Sequence, residues 1–67
     1  MNEKKQKELL AKMYVTREEF SALMQSDFVT SGEGQGRLQK GGKEYAKYII
    51  VTRDENTFTL YVDCTQG

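Results

Sequence analysis

The sequence predicts an α+β fold in which two N-terminal helices pack on a small three-stranded antiparallel meander. Three observations predict it. Thr16-Arg17-Glu18-Glu19 has the spacing of a capping box, which opens a helix. Residues 44–64, EYAKYIIVTRDENTFTLYVDC, are two β-rich runs around a polar turn. Gly41-Gly42 is a second hairpin-turn signal just before them. The 67 residues read as one domain, 1–67, with residues 1–6 expected to fray. So small a chain has a marginal core, for which dimerisation is a common supplement.

Residues 2–14, NEKKQKELLAKMY, read as the first helix. Glu3 precedes Lys7 by four and Glu8 precedes Lys12 by four, the favourable orientation for such pairs. Leu9, Leu10 and Met13 form a short apolar stripe, and the charge run reads as a solvated face. A break at Tyr14–Thr16 separates this helix from the second. There Thr16 is the N-cap, Glu19 can reach back to it, and Val15 and Phe20 occupy the hydrophobic-staple positions. Phe20, Leu23 and Met24 continue the stripe, and the helix should end near Ser26.

The glycine-rich segment 31–43 follows. As a strand over 33–39 it would place Gly32, Gly34, Gly36 and Leu38 on one face. A loop at 41–43 would pair Lys40 with Glu44, Leu38 with Ala46 and Gly36 with Tyr48. Tyrosine over a cross-strand glycine is a packing device, and glycine lets the second helix approach closely. A flexible loop over 31–40 is the competing reading. Nucleotide binding fails on spacing. The order here is GxGxG rather than GxGxxG, and Gly42-Lys43 is followed by Glu44 rather than Ser or Thr.

Strands 44–53 and 57–64 form the last hairpin. With Asp54-Glu55-Asn56 as its loop, and Asn56 left-handed, Arg53 pairs with Thr57. Counting inward puts Thr52 opposite Phe58, Ile50 opposite Leu60, Tyr48 opposite Val62 and Ala46 opposite Cys64. That face is almost purely apolar and should receive Phe20, Leu23 and Met24. The other face pairs Val51 with Thr59, Ile49 with Tyr61 and Lys47 with Asp63. A two-residue loop would set Arg53 against Phe58 and Lys47 against Cys64, so the pattern selects the longer one. The second face thus carries Tyr45, Lys47, Ile49, Val51, Tyr61 and Asp63. Either the first helix covers it through Leu9, Leu10 and Met13, or it is an interface with another protein or a second copy.

Composition narrows the chemistry. With 37% hydrophobic and 30% charged residues the chain reads as a folded domain rather than a disordered tail. Ten basic residues balance ten acidic ones, so the whole chain lacks the footprint of a strong DNA binder. There is no histidine to act as a general base, and Cys64 has no such partner, so it reads as a small buried hydrophobe. One cysteine forms no intramolecular disulfide. Asp54, Glu55 and Asn56 are too few ligands for a calcium loop. No enzyme activity, metal or cofactor is expected. The apolar runs are too short to span a bilayer and no secretory signal is evident, which suggests the cytoplasm. Basic residues Arg37, Lys40, Lys43, Lys47 and Arg53 interleave with Tyr45, a combination that suits single-stranded nucleic acid. The expectation is a small non-enzymatic protein that binds another protein, in the manner of a bacterial or phage regulator or inhibitor acting as a homodimer. Nucleic-acid binding through the strand pair 37–53 is the alternative.

Overall fold

The structure, a computed structural model, describes residues 3–65. Helix α1 spans Glu3–Lys12, strand β1 Tyr14–Val15 and helix α2 Arg17–Met24. Strands β2 (Val29–Lys40), β3 (Lys43–Thr52) and β4 (Thr57–Asp63) follow. The sheet has four strands in the order β1-β4-β3-β2, and β1 runs parallel to β4. This corrects the expected three-stranded antiparallel meander. The sheet is mixed, and its fourth strand comes from the supposed break between the helices. The Asn2 end of the expected first helix lies outside the described residues.

The break is made by Met13, whose φ of 68° is left-handed. That turn stops α1 and sends the chain along β4. The Tyr61 N–H donates to the Met13 carbonyl, while Tyr14 aligns with Tyr61 and Val15 with Val62. The capping box then restarts the helix. Thr16 Oγ1 accepts from the Glu19 N–H at 3.1 Å, and Glu19 Oε1 accepts from the Thr16 N–H at 2.9 Å. The helix stops at Met24, with Gln25 as its C-cap.

Both helices lie on one face of the sheet. Leu9 and Leu10 of α1 and Leu23 of α2 form one buried cluster with Val15, Phe28, Ile50, Leu60 and Val62. Ile50, Leu60 and Val62 are even-numbered and share a face. The first helix therefore packs on the core face and leaves the other face to its own devices. Phe28, between α2 and β2, is 3% exposed, and its carbonyl accepts from the Arg53 N–H.

The β3–β4 hairpin keeps the expected faces but not the expected pairs. Tyr48 lies opposite Leu60, Ile50 opposite Phe58 and Ala46 opposite Val62, two residues away from the anticipated register. The loop is three residues long but sits one residue earlier, at Arg53–Glu55. Thr52 donates its N–H to Asn56 and accepts from the Glu55 N–H, and Glu55, not Asn56, is left-handed with φ 66°. The reason is Thr52 itself. It is 1% exposed, and its hydroxyl bonds to the Asp54 carboxylate and lies 3.3 Å from the Asn56 carbonyl oxygen. A buried hydroxyl needs such a partner, and the earlier loop supplies it. Moving the pairing by two residues keeps side-chain parity, so the inward set survives.

The first hairpin closes through two residues rather than three. Gly41 and Gly42 both have positive φ, 58° and 77°, as a primed two-residue turn requires. Lys40 therefore pairs with Lys43 and Leu38 with Tyr45, which moves Leu38 off the core face. A bulge corrects the register: Gly34 pairs with Tyr48 and Arg37 with Ala46, so Gln35 and Gly36 together face Lys47. Beyond it the glycines return to the core face. A Cβ on Gly34 would sit 3.7 Å from the Tyr48 ring, so the tyrosine-over-glycine device is present at Gly34, not Gly36. A Cβ on Gly32 would sit 2.7 Å from Met24 Cε and 3.2 Å from Ile50 Cδ1. Close approach of α2 thus depends on Gly32. Segment 31–40 is strand and not loop, and the strand begins as early as Val29.

Candidate functional site

The odd-numbered face of β3 and β4 holds every residue anticipated there: Tyr45, Lys47, Ile49, Val51, Tyr61 and Asp63. The buried leucines of α1 and α2 belong to the opposite cluster, and the helices reach this side only at its edge, where Lys12 and Glu19 line a depression with Tyr14, Tyr45 and Asp63. All six are half-buried rather than fully exposed. What covers them in part is Tyr14, which the sequence reading passes over. Its ring stacks on Tyr61 with centroids 5.1 Å apart and meets the edge of Tyr45 at 5.2 Å. The three tyrosines form one contiguous aromatic surface across β1, β4 and β3. Alternation along β4 and the Tyr14↔Tyr61 register place it there. A residue two positions before an N-cap gives no sequence signal of such a role.

Charges ring this surface. Lys40 reaches over the Tyr14 ring, 5.0 Å from its centroid, and donates to its hydroxyl at 3.2 Å. The hydroxyl holds the ammonium pKa above its ordinary value. Lys47 stands opposite Tyr61, and Asp63 stands opposite Tyr45. The anticipated Lys47–Asp63 cross-strand pair is therefore absent from the register. Asp63 instead lies 3.9 Å from Lys43, and its pKa is lowered first by the Thr65 backbone N–H, which donates to Oδ1 at 2.9 Å. Lys12 of α1 reaches Glu19 of α2 at 2.9 Å, tying the helices together beside the face. The Glu19 pKa is lowered chiefly by its bond from the Thr16 backbone and then by Lys12.

The basic set splits. Lys40, Lys43 and Tyr45 line one shallow depression of about 320 Å³ with Tyr14 and Gly41. Arg37 turns to the core side of the sheet and pairs with Glu44 at 2.8 Å, which raises its pKa. Arg53 lies at the far end of β3, where its guanidinium sits 5.9 Å from the Phe28 ring centroid. The structure does not bring the five cations into one stripe. Cys64 is half-buried, with its thiol 3.4 Å from the Glu44 carbonyl oxygen. It follows β4 rather than pairing with Ala46. Among the described residues no group of three or more His, Cys, Asp or Glu side chains could hold a metal ion. Among the same residues no helix is long and apolar enough to cross a membrane. No known protein family, curated protein or solved structure matches this chain.

Proposed function

We propose that this is a small, non-enzymatic, cytoplasmic binding protein whose odd-numbered sheet face receives another protein. One observation carries the reading: both helices pack on the even-numbered face, and the face left over bears Tyr14 in ring contact with both Tyr45 and Tyr61, on the side that holds Ile49 and Val51. Tyrosines supply large, rigid contact area with a polar tip, which suits the centre of a protein interface. Lys40, Lys43, Lys47 and Asp63 would form its polar rim. The face is suited to a regulator or inhibitor that acts by occupying a surface. The test is Tyr45→Lys with Tyr61→Glu, each placed opposite a charge of the other sign, Asp63 and Lys47. Partner capture should fall at least about tenfold while the fold persists, because a buried charge at a hot spot costs about 1.4 kcal/mol or more. Capture unchanged by both substitutions would refute the reading.

Single-stranded nucleic acid is the second reading, favoured by Lys40, Lys43, Tyr14 and Tyr45 around one depression. It is the weaker one, since Lys43 faces Asp63, Arg37 faces Glu44 and Arg53 is remote. Oligonucleotide binding that weakens steeply with salt would support it, and no binding at low salt would end it.

A further inference from the structure

We infer that the outer edge of β2 pairs antiparallel with β2 of a second copy, joining two four-stranded sheets into one. This does not rest on what occupies the tyrosine face. Strand β2 is twelve residues long, ends the sheet order, and is exposed at every position except Val29 and Leu38. A long open edge is a template for another strand.

The backbone sets which groups are offered. The Cys64 N–H donates to the Glu44 carbonyl, and the Thr52 N–H to that of Asn56. Even-numbered residues of β3 therefore bond to β4, and by the alternation of an antiparallel ladder the odd-numbered ones bond to β2. Their β2 partners are Ser31, Glu33, Leu38 and Lys40. The residues between, Gly32, Gly34, Arg37 and Gln39, turn their N–H and C=O groups to the open edge. The bulge at Gln35-Gly36 keeps all four on the same side-chain face.

That set is self-complementary. A two-fold axis between Gln35 and Gly36 puts Gly32 of one copy opposite Gln39 of the other, and Gly34 opposite Arg37. All four outward residues of each copy then find an outward residue on the matching face. Sliding by two residues either way leaves half of these rungs. No like charges stand opposite each other. Glu33 meets Leu38, and it lies diagonal to Lys40 on the same face, within reach of long side chains. Arg37 faces a glycine, which leaves room for its stem. Met24, 39% exposed above Gly32, gains cover from Gln39 of the other copy.

Amide exchange on the unmodified protein tests this. Between about 10 µM and about 1 mM, the amides of Gly32, Gly34, Arg37 and Gln39 should slow roughly tenfold or more by mass action. Those of Ser31, Glu33, Leu38 and Lys40, already bonded to β3, should not change. A cross-linking arm fixes the register. In a Cys64→Ser background, Ser31→Cys protein mixed with Lys40→Cys protein should form a disulfide-linked dimer. The opposed Cβ atoms would be about 4.5–5.5 Å apart. Within one chain the two sites are about 30 Å apart along the strand, so no internal bond competes. Edge amides indifferent to concentration would overturn the inference, as would a mixture that cross-links no better than either protein alone. Self-association through the tyrosine face would also overturn it, and would leave these four amides fast.

Discussion

Ile49 and Ile50 are neighbours in one strand and should respond very unequally to the same change. Ile50 is fully buried, against Gly32 and within the leucine cluster. Ile49 is half-buried on the face without helices. Removing one methylene by Ile50→Val should cost about 0.5–1.5 kcal/mol, and Ile50→Ala about 2–5 kcal/mol, because the walls of a packed site close only partly. A 67-residue domain has a total stability of roughly 3–10 kcal/mol at usual values per residue, so Ile50→Ala could leave little folded protein. The valine pair is the quantitative comparison. Ile49→Val keeps the β-branch and opens no enclosed cavity, so its effect should stay within about 0.5 kcal/mol, and Ile49→Ala near 1 kcal/mol. Urea unfolding followed by circular dichroism reads both through the midpoint at constant slope. Equal losses at 49 and 50 would mean that the second face is covered within the chain. A larger loss at 49 would mean that the faces are inverted.

Other consequences are local. Thr16→Ala should cost about 1 kcal/mol in urea unfolding, since it strips the N-cap acceptor of α2. Glu55→Gly should raise stability by roughly 0.5–1 kcal/mol, because glycine adopts the left-handed φ at that turn without the side-chain penalty. Tyr14→Ala should cost about 1–3 kcal/mol by removing two ring contacts, whereas Tyr14→Phe, which loses only the bond from Lys40, should cost under about 0.5 kcal/mol. Acid should weaken the fold. Glu19, Asp54 and Asp63 all have folded pKa values below their ordinary ones. Their contributions are complete above the ordinary carboxylate range and are lost as pH falls below about 4.5 through the depressed values. Thermal melts across that window should show a falling midpoint. Glu19→Gln should reduce the fall, and an unchanged slope would refute its share.

What could be read in advance was what short spacings dictate. The Thr16–Glu19 box is four consecutive residues, and its geometry depends on nothing distant. Side-chain parity in β3 and β4 survives a two-residue change of register, so the faces were legible although the pairs were not. Loop placement depended on Thr52, whose need for Asp54 arises only once it is buried. Strand β1 was illegible because Tyr14–Val15 is two residues long and exists through pairing with Tyr61 and Val62, nearly fifty positions away. Met13 turns left-handed without the glycine that usually signals it. In β2 the glycines erased the alternation that marks a strand, and the bulge at Gly36 changed faces midway. For the candidate site, Tyr45, Ile49, Val51 and Tyr61 followed from parity, while Tyr14 could enter only with β1.

The claim at the centre is that the odd-numbered face works by binding another protein. Affinity capture from the native host compares it directly, using the unmodified protein and Tyr61→Glu as paired baits. The substitution keeps the hairpin, because Tyr61 lies opposite Lys47, and a carboxylate there gains an opposite-charge neighbour worth about 0.2–1 kcal/mol. That gain offsets part of the lost stacking on Tyr14. The account predicts that both baits are folded at the temperature of capture, as circular dichroism reads, and that a partner is retained by the unmodified protein alone. The same proteins held equally by both baits, with both folded, would contradict it.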